Sequence, residues 1–351
     1  MNYQHDPKQF SDDLLSWFTE NARILPWRSE PTPYRVWVSE IMLQQTRVEA
    51  VKPYFERFIR ELPDIEALAY AEDDKLAKLW EGLGYYHRVR NMKKCALQCM
   101  KDHHGQLPKT YEQLCQLPGI GSYTAGAIAS IAYGECVPAV DGNVLRVFSR
   151  ILVDEDDILK EATKKKYQKI IKEYIPEGES SAFNQALMEI GALVCVPNSV
   201  PRCNICPLAK NCIGYQSGEA QRLPNKSAKK KRRQEKKTVL VFYHNGKVLL
   251  RKRKEEGLLP GLYEFVSEEG YLSKQELHKR YPHAVIYTLH DAKHVFSHIE
   301  WHMHGFLIVC DQAIDMEGIW CSIEQLKREY ALPTAWKVYK DAVLQYERGI
   351  L

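Results

Sequence analysis

No stretch of this sequence stays apolar long enough to cross a bilayer as a helix, which takes about 20 residues, so a membrane-spanning helix is not expected. The opening Met1-Asn2-Tyr3-Gln4-His5-Asp6 lacks the basic and then apolar order of a secretory signal. A reducing compartment is therefore expected: the cytoplasm, or the nucleoid within it if the source is bacterial. Neither sign of charge dominates. Forty-nine Lys and Arg against 45 Asp and Glu leave a formal +4, which permits a polyanionic partner without requiring one. No internal repeat is visible, which argues against a solenoid. What remains is 351 residues, 45% hydrophobic and 27% charged, a globular composition. That is more chain than one core commonly fills, so two domains are expected.

Ten cysteines stand out against this background. Cys95, Cys99, Cys115, Cys136, Cys310 and Cys321 are scattered and read as free thiols. Cys195, Cys203, Cys206 and Cys212 fall within 18 residues, the last three in a Cys-x2-Cys-x5-Cys rhythm. A zinc knuckle commonly shows two close pairs or a histidine ligand. This run has one isolated cysteine, then three, and no histidine. Four thiolates without histidine suit an iron–sulfur cluster.

The helical period of three and four residues governs the chain from about residue 8 to 212. Val48, Val51, Phe55, Phe58 and Leu62 form one apolar face, with Pro53 expected to start a second helix where its missing N–H costs nothing. Tyr167, Ile170, Ile171 and Tyr174 mark another helix. Phe183, Leu187, Ile190 and Val194 mark one more that runs into Cys195. A like-charge run at 226–237 resists burial and reads as a linker, either a solvated tether or a phosphate contact. Beyond it, Thr238 to Tyr243, the Asn245-Gly246 turn and Val248-Leu249-Leu250 predict a hairpin. Tyr263–Val266 and Phe306–Val309 predict further strands, and Ser322–Tyr330 a short helix. The expected organisation is an all-α domain over 1–215, a basic linker over 216–237 and an α+β domain over 238–351.

Three short motifs carry chemistry. Leu117-Pro118-Gly119-Ile120-Gly121 joins two helical stretches. Its glycines allow a sharp turn, and the next helix starts at once, presenting free N–H groups that suit a phosphate. This is the helix-hairpin-helix pattern, which grips DNA backbone without reading sequence. Asp141, in Val140-Asp141-Gly142-Asn143, has the place of a helix N-cap. Glu40 lies among strongly apolar neighbours in Val38-Ser39-Glu40-Ile41-Met42. Burial there raises a carboxyl pKa and fits an acid working near neutral pH. Two carboxylates flanking a DNA-gripping hairpin suggest an acid and a charge stabiliser acting on a nucleotide.

In this order the motifs resemble the endonuclease III superfamily of DNA glycosylases, and within it the adenine DNA glycosylases of the MutY type. Pro26-Trp27-Arg28, Ser39 through Thr46, Gly82-Leu83-Gly84-Tyr85-Tyr86 and Phe183-Asn184-Gln185-Ala186-Leu187 are similar to that family. So are Gly257 through Phe265 and Phe296-Ser297-His298. The resemblance spans residues 8 to 345. It implies a helix-hairpin-helix glycosylase domain with an iron–sulfur cluster loop, followed by a Nudix-like domain.

The resemblance also implies roles. Adenine opposite 8-oxoguanine or guanine would be flipped out of the duplex. Glu40 would protonate it at N7 and Asp141 would stabilise the oxocarbenium-like sugar, a two-carboxylate logic akin to glycoside hydrolysis. Arg28 and Asn143 would support these groups, Trp27 would line the pocket, and Gln45, beside Thr46, and Tyr85 would enter the base stack. Gly119 and Gly121 would meet the DNA backbone and Gln185 the adenine; some relatives carry Glu at that last position. Tyr123 stands where bifunctional relatives carry a Schiff-base lysine, implying base removal without strand cutting. Ser297 and His298, after Phe296, would contact 8-oxoguanine. The Nudix-like part lacks the Glu-rich helix of a pyrophosphate hydrolase, so it reads as a recognition module. One 4Fe–4S cluster on the four clustered cysteines, a duplex DNA partner and a monomer complete the expectation. The gap Val196–Arg202 holds seven residues where the family has six, so one residue is expected to bulge. The competing readings are a bifunctional glycosylase/lyase, a non-catalytic mismatch binder and a nucleotide hydrolase. Tyr123, the Glu40/Asp141 pair and the missing acidic helix argue against them in turn.

Overall fold

The computed structural model describes residues 6–228 and 231–350. They form two units. The first takes the chain up to Tyr70 together with Arg90–Ala228, and the second takes Ala71–Val89 together with the chain beyond Ala228.

The first unit is helical. Its elements are α1 (Pro7–Asn21), α2 (Pro33–Leu43), α3 (Val48–Glu61) and α4 (Ile65–Ala69). After α5 (Asp73–Leu79), which belongs to the second unit, come α6 (His87–Asp102), α7 (Tyr111–Leu114), α8 (Ser122–Tyr133) and α9 (Gly142–Leu152). α10 (Glu161–Lys172), α11 (Ser180–Leu193) and α12 (Ile213–Gln216) complete it. Phe10 and Leu14 of α1, Val144 and Phe148 of α9, Tyr167 and Ile171 of α10, and Phe183, Leu187 and Ile190 of α11 share one core. α2 is buried from Tyr34 to Met42 except at Arg35. A helix apolar on nearly all sides must be enclosed, and this encloses Glu40 with it. Pro53 does not start a helix. It lies inside α3, because burying Val51, Phe55 and Phe58 on one unbroken face outweighs one lost backbone hydrogen bond.

The second unit carries a mixed sheet, with strands β1 (Arg233–His244), β2 (Lys247–Lys252), β3 (Tyr263–Glu264), β4 (Val266–Glu269), β5 (Val285–Thr288), β6 (Ala292–Val295), β7 (Ile299–Val309) and β8 (Ile319–Ser322). The order runs β3-β2-β1-β7-β5; β4 also pairs with β1, β6 with β7 and β8 with β2. β1 and β7 run parallel from Arg233↔Ile299 to Tyr243↔Val309. The Asn245-Gly246 turn closes the expected hairpin, Tyr243 pairing with Val248. Strand alternation sends Val239 and Val241 to one face, under Trp336, Tyr339 and Val343 around α15 (Lys337–Glu347). It sends Leu240 and Phe242 to the other, under Leu277 of α13 (Lys274–Arg280). The expected helix near Ser322 is α14 (Ile323–Arg328). The one glutamate of α13, Glu276, is engaged in a capping box with Ser273.

The units differ from the expected partition. β1 begins at Arg233, inside the segment read as linker. The charge run can pair as a strand because Glu235 takes Arg233, Lys237 and the Trp301 indole N–H, while Lys236 and Lys237 lie over the rings of Tyr271 and Trp301. Ala71–Val89 also joins the second unit, which no local pattern announces. Lys229 and Lys230 of the expected linker, and the expected domain ends at residues 1–5 and 351, lie outside the described residues.

Candidate active site

Glu40 sits on the buried α2, 5% exposed. α8 brings Tyr123 to it, and the phenol O–H donates to Glu40 Oε2. Asp141 approaches from the start of α9, where it is indeed the N-cap. Its Oδ1 accepts from the N–H groups of Asn143 (2.9 Å) and Val144 (2.8 Å), and its Oδ2 accepts from Asn143 Nδ2 at 2.7 Å. A cleft of about 1240 Å³ is lined by Glu40, Tyr123 and Asp141. Trp27, Arg28, Gln45, Thr46, Asn143 and Gln185 line the same cleft. Widely separated parts of the helical unit thus converge on one cavity.

Burial dominates the electrostatics. It pushes Glu40 up to about 7, aided by the charge of Asp141 and opposed by the Tyr123 hydrogen bond and by Arg28. Asp141 is also pushed up by burial, against the Val144 and Asn143 hydrogen bonds and Arg146. Tyr123 is held well above the usual phenol range by burial and by both carboxyls, so it stays a neutral donor. An acid poised near neutrality beside a second, well hydrogen-bonded carboxylate is a pairing suited to splitting acid and stabiliser roles.

Sequence reasoning missed the residues that hold these groups in place. Glu189 of α11, wholly buried, takes Arg28 Nη1 at 2.6 Å and Arg23 Nε at 2.7 Å. Glu189 shares a helix face with Gln185, four residues earlier, but nothing local marks it as the partner of two distant arginines. Asn184, also fully buried, accepts from the Ala139 N–H and donates to the Val137 carbonyl, fixing the segment that leads into Asp141. Arg146 donates to Asn143 Oδ1, the Gly191 carbonyl and the Cys195 carbonyl, tying Asp141's neighbour to the cysteine segment. A Cβ on Gly191 would stand 2.6 Å from that of Asn143, so α11 and α9 meet only because Gly191 has none.

Other expected site residues lie apart from the cleft. Gly119 has φ +76°, and a Cβ there would meet Asn91 at 2.7 Å. Gly121 caps α8 without a side chain, leaving the first N–H groups of that helix unclaimed by any cap. Tyr85, at φ +47° and 41% exposed, belongs to the second unit. Phe296-Ser297-His298 forms the turn between β6 and β7, closed by Phe296 N–H to the Ile299 carbonyl at 2.8 Å. Ser297 and His298 are exposed. Arg232 Nε and the Arg233 N–H hold the Phe296 and His298 carbonyls at 2.9 and 3.0 Å, so the basic run braces this turn.

Cys195, Cys203, Cys206 and Cys212 line a single cavity with Arg150 and an apolar wall that includes Val147, Ile190 and Leu208. Arg150 Nη1 donates to Cys195 Sγ at 3.3 Å. Arg202 N–H returns to the Val194 carbonyl, closing a loop over the seven-residue gap in which Asn198 has φ +58° and Val200 is exposed. Among the described residues no group of His, Cys, Asp or Glu is arranged to hold a metal ion. The four cysteines around one cavity with an apolar wall are the donor set an iron–sulfur cluster takes. No helix among the described residues is long and apolar enough to cross a membrane.

Two family models match the chain: the HhH-GPD superfamily base excision DNA repair protein over residues 38–173 and the NUDIX domain over 238–342. An adenine DNA glycosylase of Buchnera aphidicola (Schizaphis graminum) is 33% identical over 85% of this chain and 87% of its own length. The adenine DNA glycosylase of Mus musculus is 40% identical over 63% of this chain, a match that takes in 45% of that longer protein. Among solved structures, a thermostable thymine-DNA glycosylase superposes on 59% of this chain and 95% of its own, with a TM-score of 0.55 at 26% identity. A trapped endonuclease III–DNA covalent intermediate, 23% identical with a TM-score of 0.50 over 59% of this chain and 94% of its own, shares the fold. The chain belongs to the adenine DNA glycosylase family, and it is a DNA glycosylase, a hydrolase of the N-glycosidic bond.

Proposed function

We propose that this enzyme, acting as a monomer, excises adenine mispaired with 8-oxoguanine or guanine in duplex DNA. The observation that carries the reading is the Glu40–Tyr123–Asp141 constellation in one cleft, with Glu40 poised at about 7. Glu40 enters protonated and gives its proton to N7 of the flipped adenine. Its new carboxylate is then held by the Tyr123 phenol and the positive field of Arg28. As the glycosidic bond breaks, Asp141 faces the cationic sugar. Three of its acceptor positions are engaged by Val144 and Asn143, which keeps it oriented and leaves an Oδ2 lone pair free. Water then completes the hydrolysis.

Tyr123 has no amine, so it forms no Schiff base with the sugar, and the product strand stays intact. The exposed Ser297 and His298 meet 8-oxoguanine. Gly119, Gly121 and the open start of α8 meet a phosphate. Cys195, Cys203, Cys206 and Cys212 would hold one 4Fe–4S cluster, which would cross-link the loop. The test is single-turnover base release from a duplex with adenine opposite 8-oxoguanine, scored with and without alkali. Breaks seen only after alkali, and absent when cytosine replaces the adenine, are expected. Strand cutting without alkali, or tight binding with no release, would overturn the reading.

A further inference from the structure

Ala71–Val89, although early in the chain, is fastened within the second unit by three polar anchors. Asp74 takes Lys252 Nζ at 3.1 Å and the Tyr263 hydroxyl at 3.0 Å. Lys78 Nζ donates to the Tyr330 carbonyl at 3.0 Å and the Leu326 carbonyl at 3.4 Å, at the end of α14. Glu81 accepts from Lys78 (2.6 Å), from Lys340 of α15 (3.0 Å) and from the Leu332 N–H (3.1 Å). Lys78, Glu81 and Lys340 are each no more than 20% exposed, so this network is better shielded from solvent than an ordinary surface pair.

Glu81 leads directly into a stiff turn. Gly82, Gly84 and Tyr85 all have positive φ. Trp80 Nε1 and Arg88 Nη2 both donate to the Gly84 carbonyl, and the Arg88 guanidinium lies over the Trp80 and Tyr85 rings. The turn therefore presents Tyr85 from a base that Glu81 holds. On the far side, α15 begins after Trp336, whose ring meets Trp301 at 5.6 Å, and Trp301 in turn meets Phe296 at 4.7 Å. Phe296 opens the Ser297–His298 turn. Packed rings and one ion pair thus join that turn to Tyr85 within a single unit.

We propose that Glu81, clamped by Lys340 and Lys78, is a positioning residue that fixes Tyr85 at a set distance from the Ser297–His298 turn. A duplex is then gripped at the base stack and at the oxidised guanine by one rigid body, and a correct 8-oxoguanine contact aligns Tyr85 at the same moment. The inference rests on the proposed reading that Tyr85 enters the stack and that Ser297 and His298 meet 8-oxoguanine. Opposite plain guanine the turn has no oxidised base to grip, so the clamp adds nothing there.

The test compares Lys340→Met and Lys340→Arg with the unmodified full-length enzyme. Excision is measured under single turnover from adenine opposite 8-oxoguanine and opposite guanine. In parallel, a 2-aminopurine beside the 8-oxoguanine reports stacking by fluorescence, in a Glu40→Gln background that leaves the base in place. Lys340→Met is expected to lose about tenfold of the preference for 8-oxoguanine, with the rate opposite guanine kept and the 2-aminopurine signal reduced. Lys340→Arg is expected to restore both, which separates positioning from a folding defect. A Lys340→Met enzyme with full preference and unchanged fluorescence would overturn the clamp alone. An unmodified enzyme without any preference for 8-oxoguanine, or a Tyr85→Ser variant with unchanged fluorescence, would overturn the underlying reading and the clamp with it.

Discussion

Glu40 shows how a single residue's surroundings set its chemistry. A lone glutamate on a helix is commonly solvated, but eight of the eleven residues of α2 are buried, Glu40 among them. Its folded carboxyl is raised from 4.5 to about 7, so the fold favours the protonated form. The stability this gives is fully present below pH 4.5 and is lost as pH rises through about 7, at most about 3 kcal/mol for a shift of this size. Denaturant unfolding at a series of pH values should show that loss between pH 4.5 and 7, and Glu40→Gln should flatten it. The same pH slope in both proteins would contradict the assignment. The apolar neighbours of Glu40 made this legible in the sequence. Glu189 was not, because its partners Arg23 and Arg28 lie more than 160 positions away and periodicity is silent about such pairings.

At the scale of elements, local patterns predicted helices and strands well wherever a buried face was continuous. The Asn245-Gly246 hairpin, the α11 stripe and the Leu117–Gly121 turn all obey short-range rules. Pro53 did not, because proline chemistry is local while the buried face of α3 is a tertiary matter. That conflict has a measurable consequence. Restoring the missing donor in Pro53→Ala should stabilise the protein by about 1–3 kcal/mol, read as a rise in thermal midpoint. A fall would mean that the ring of Pro53 packs in a way that α3 needs. The basic run at 226–237 is the opposite case. Its charge argued for a tether, yet from Arg233 on it pairs as β1, since Glu235, Tyr271 and Trp301 accommodate the cations.

Across the whole molecule, the cleft is assembled from motifs that the sequence keeps far apart. Tyr123 is 83 positions from Glu40. What brings them together is the packing of α2 on α8 and of α11 on α8 and α9, and no single motif encodes it. The motifs could be identified one by one, but not the braces between them: Asn184 behind Asp141, Arg146 between Asn143 and the cysteine segment, Arg232 behind the Ser297–His298 turn. The assignment of Ala71–Val89 to the second unit was hidden for the same reason, since Asp74, Lys78 and Glu81 read locally as an ordinary charged helix. The central claim is that Glu40 delivers the proton that releases adenine. The measurement that tests it most directly is the pH dependence of single-turnover adenine release opposite 8-oxoguanine. Because the acid must carry its proton, the rate should fall about tenfold per unit above pH 7; it should fall again at low pH, where Asp141, raised by burial, takes a proton and loses the charge the sugar needs, and Glu40→Gln should abolish release at every pH. A rate that stays level or rises through pH 8, or a Glu40→Gln enzyme that releases base at the native rate, would contradict the account.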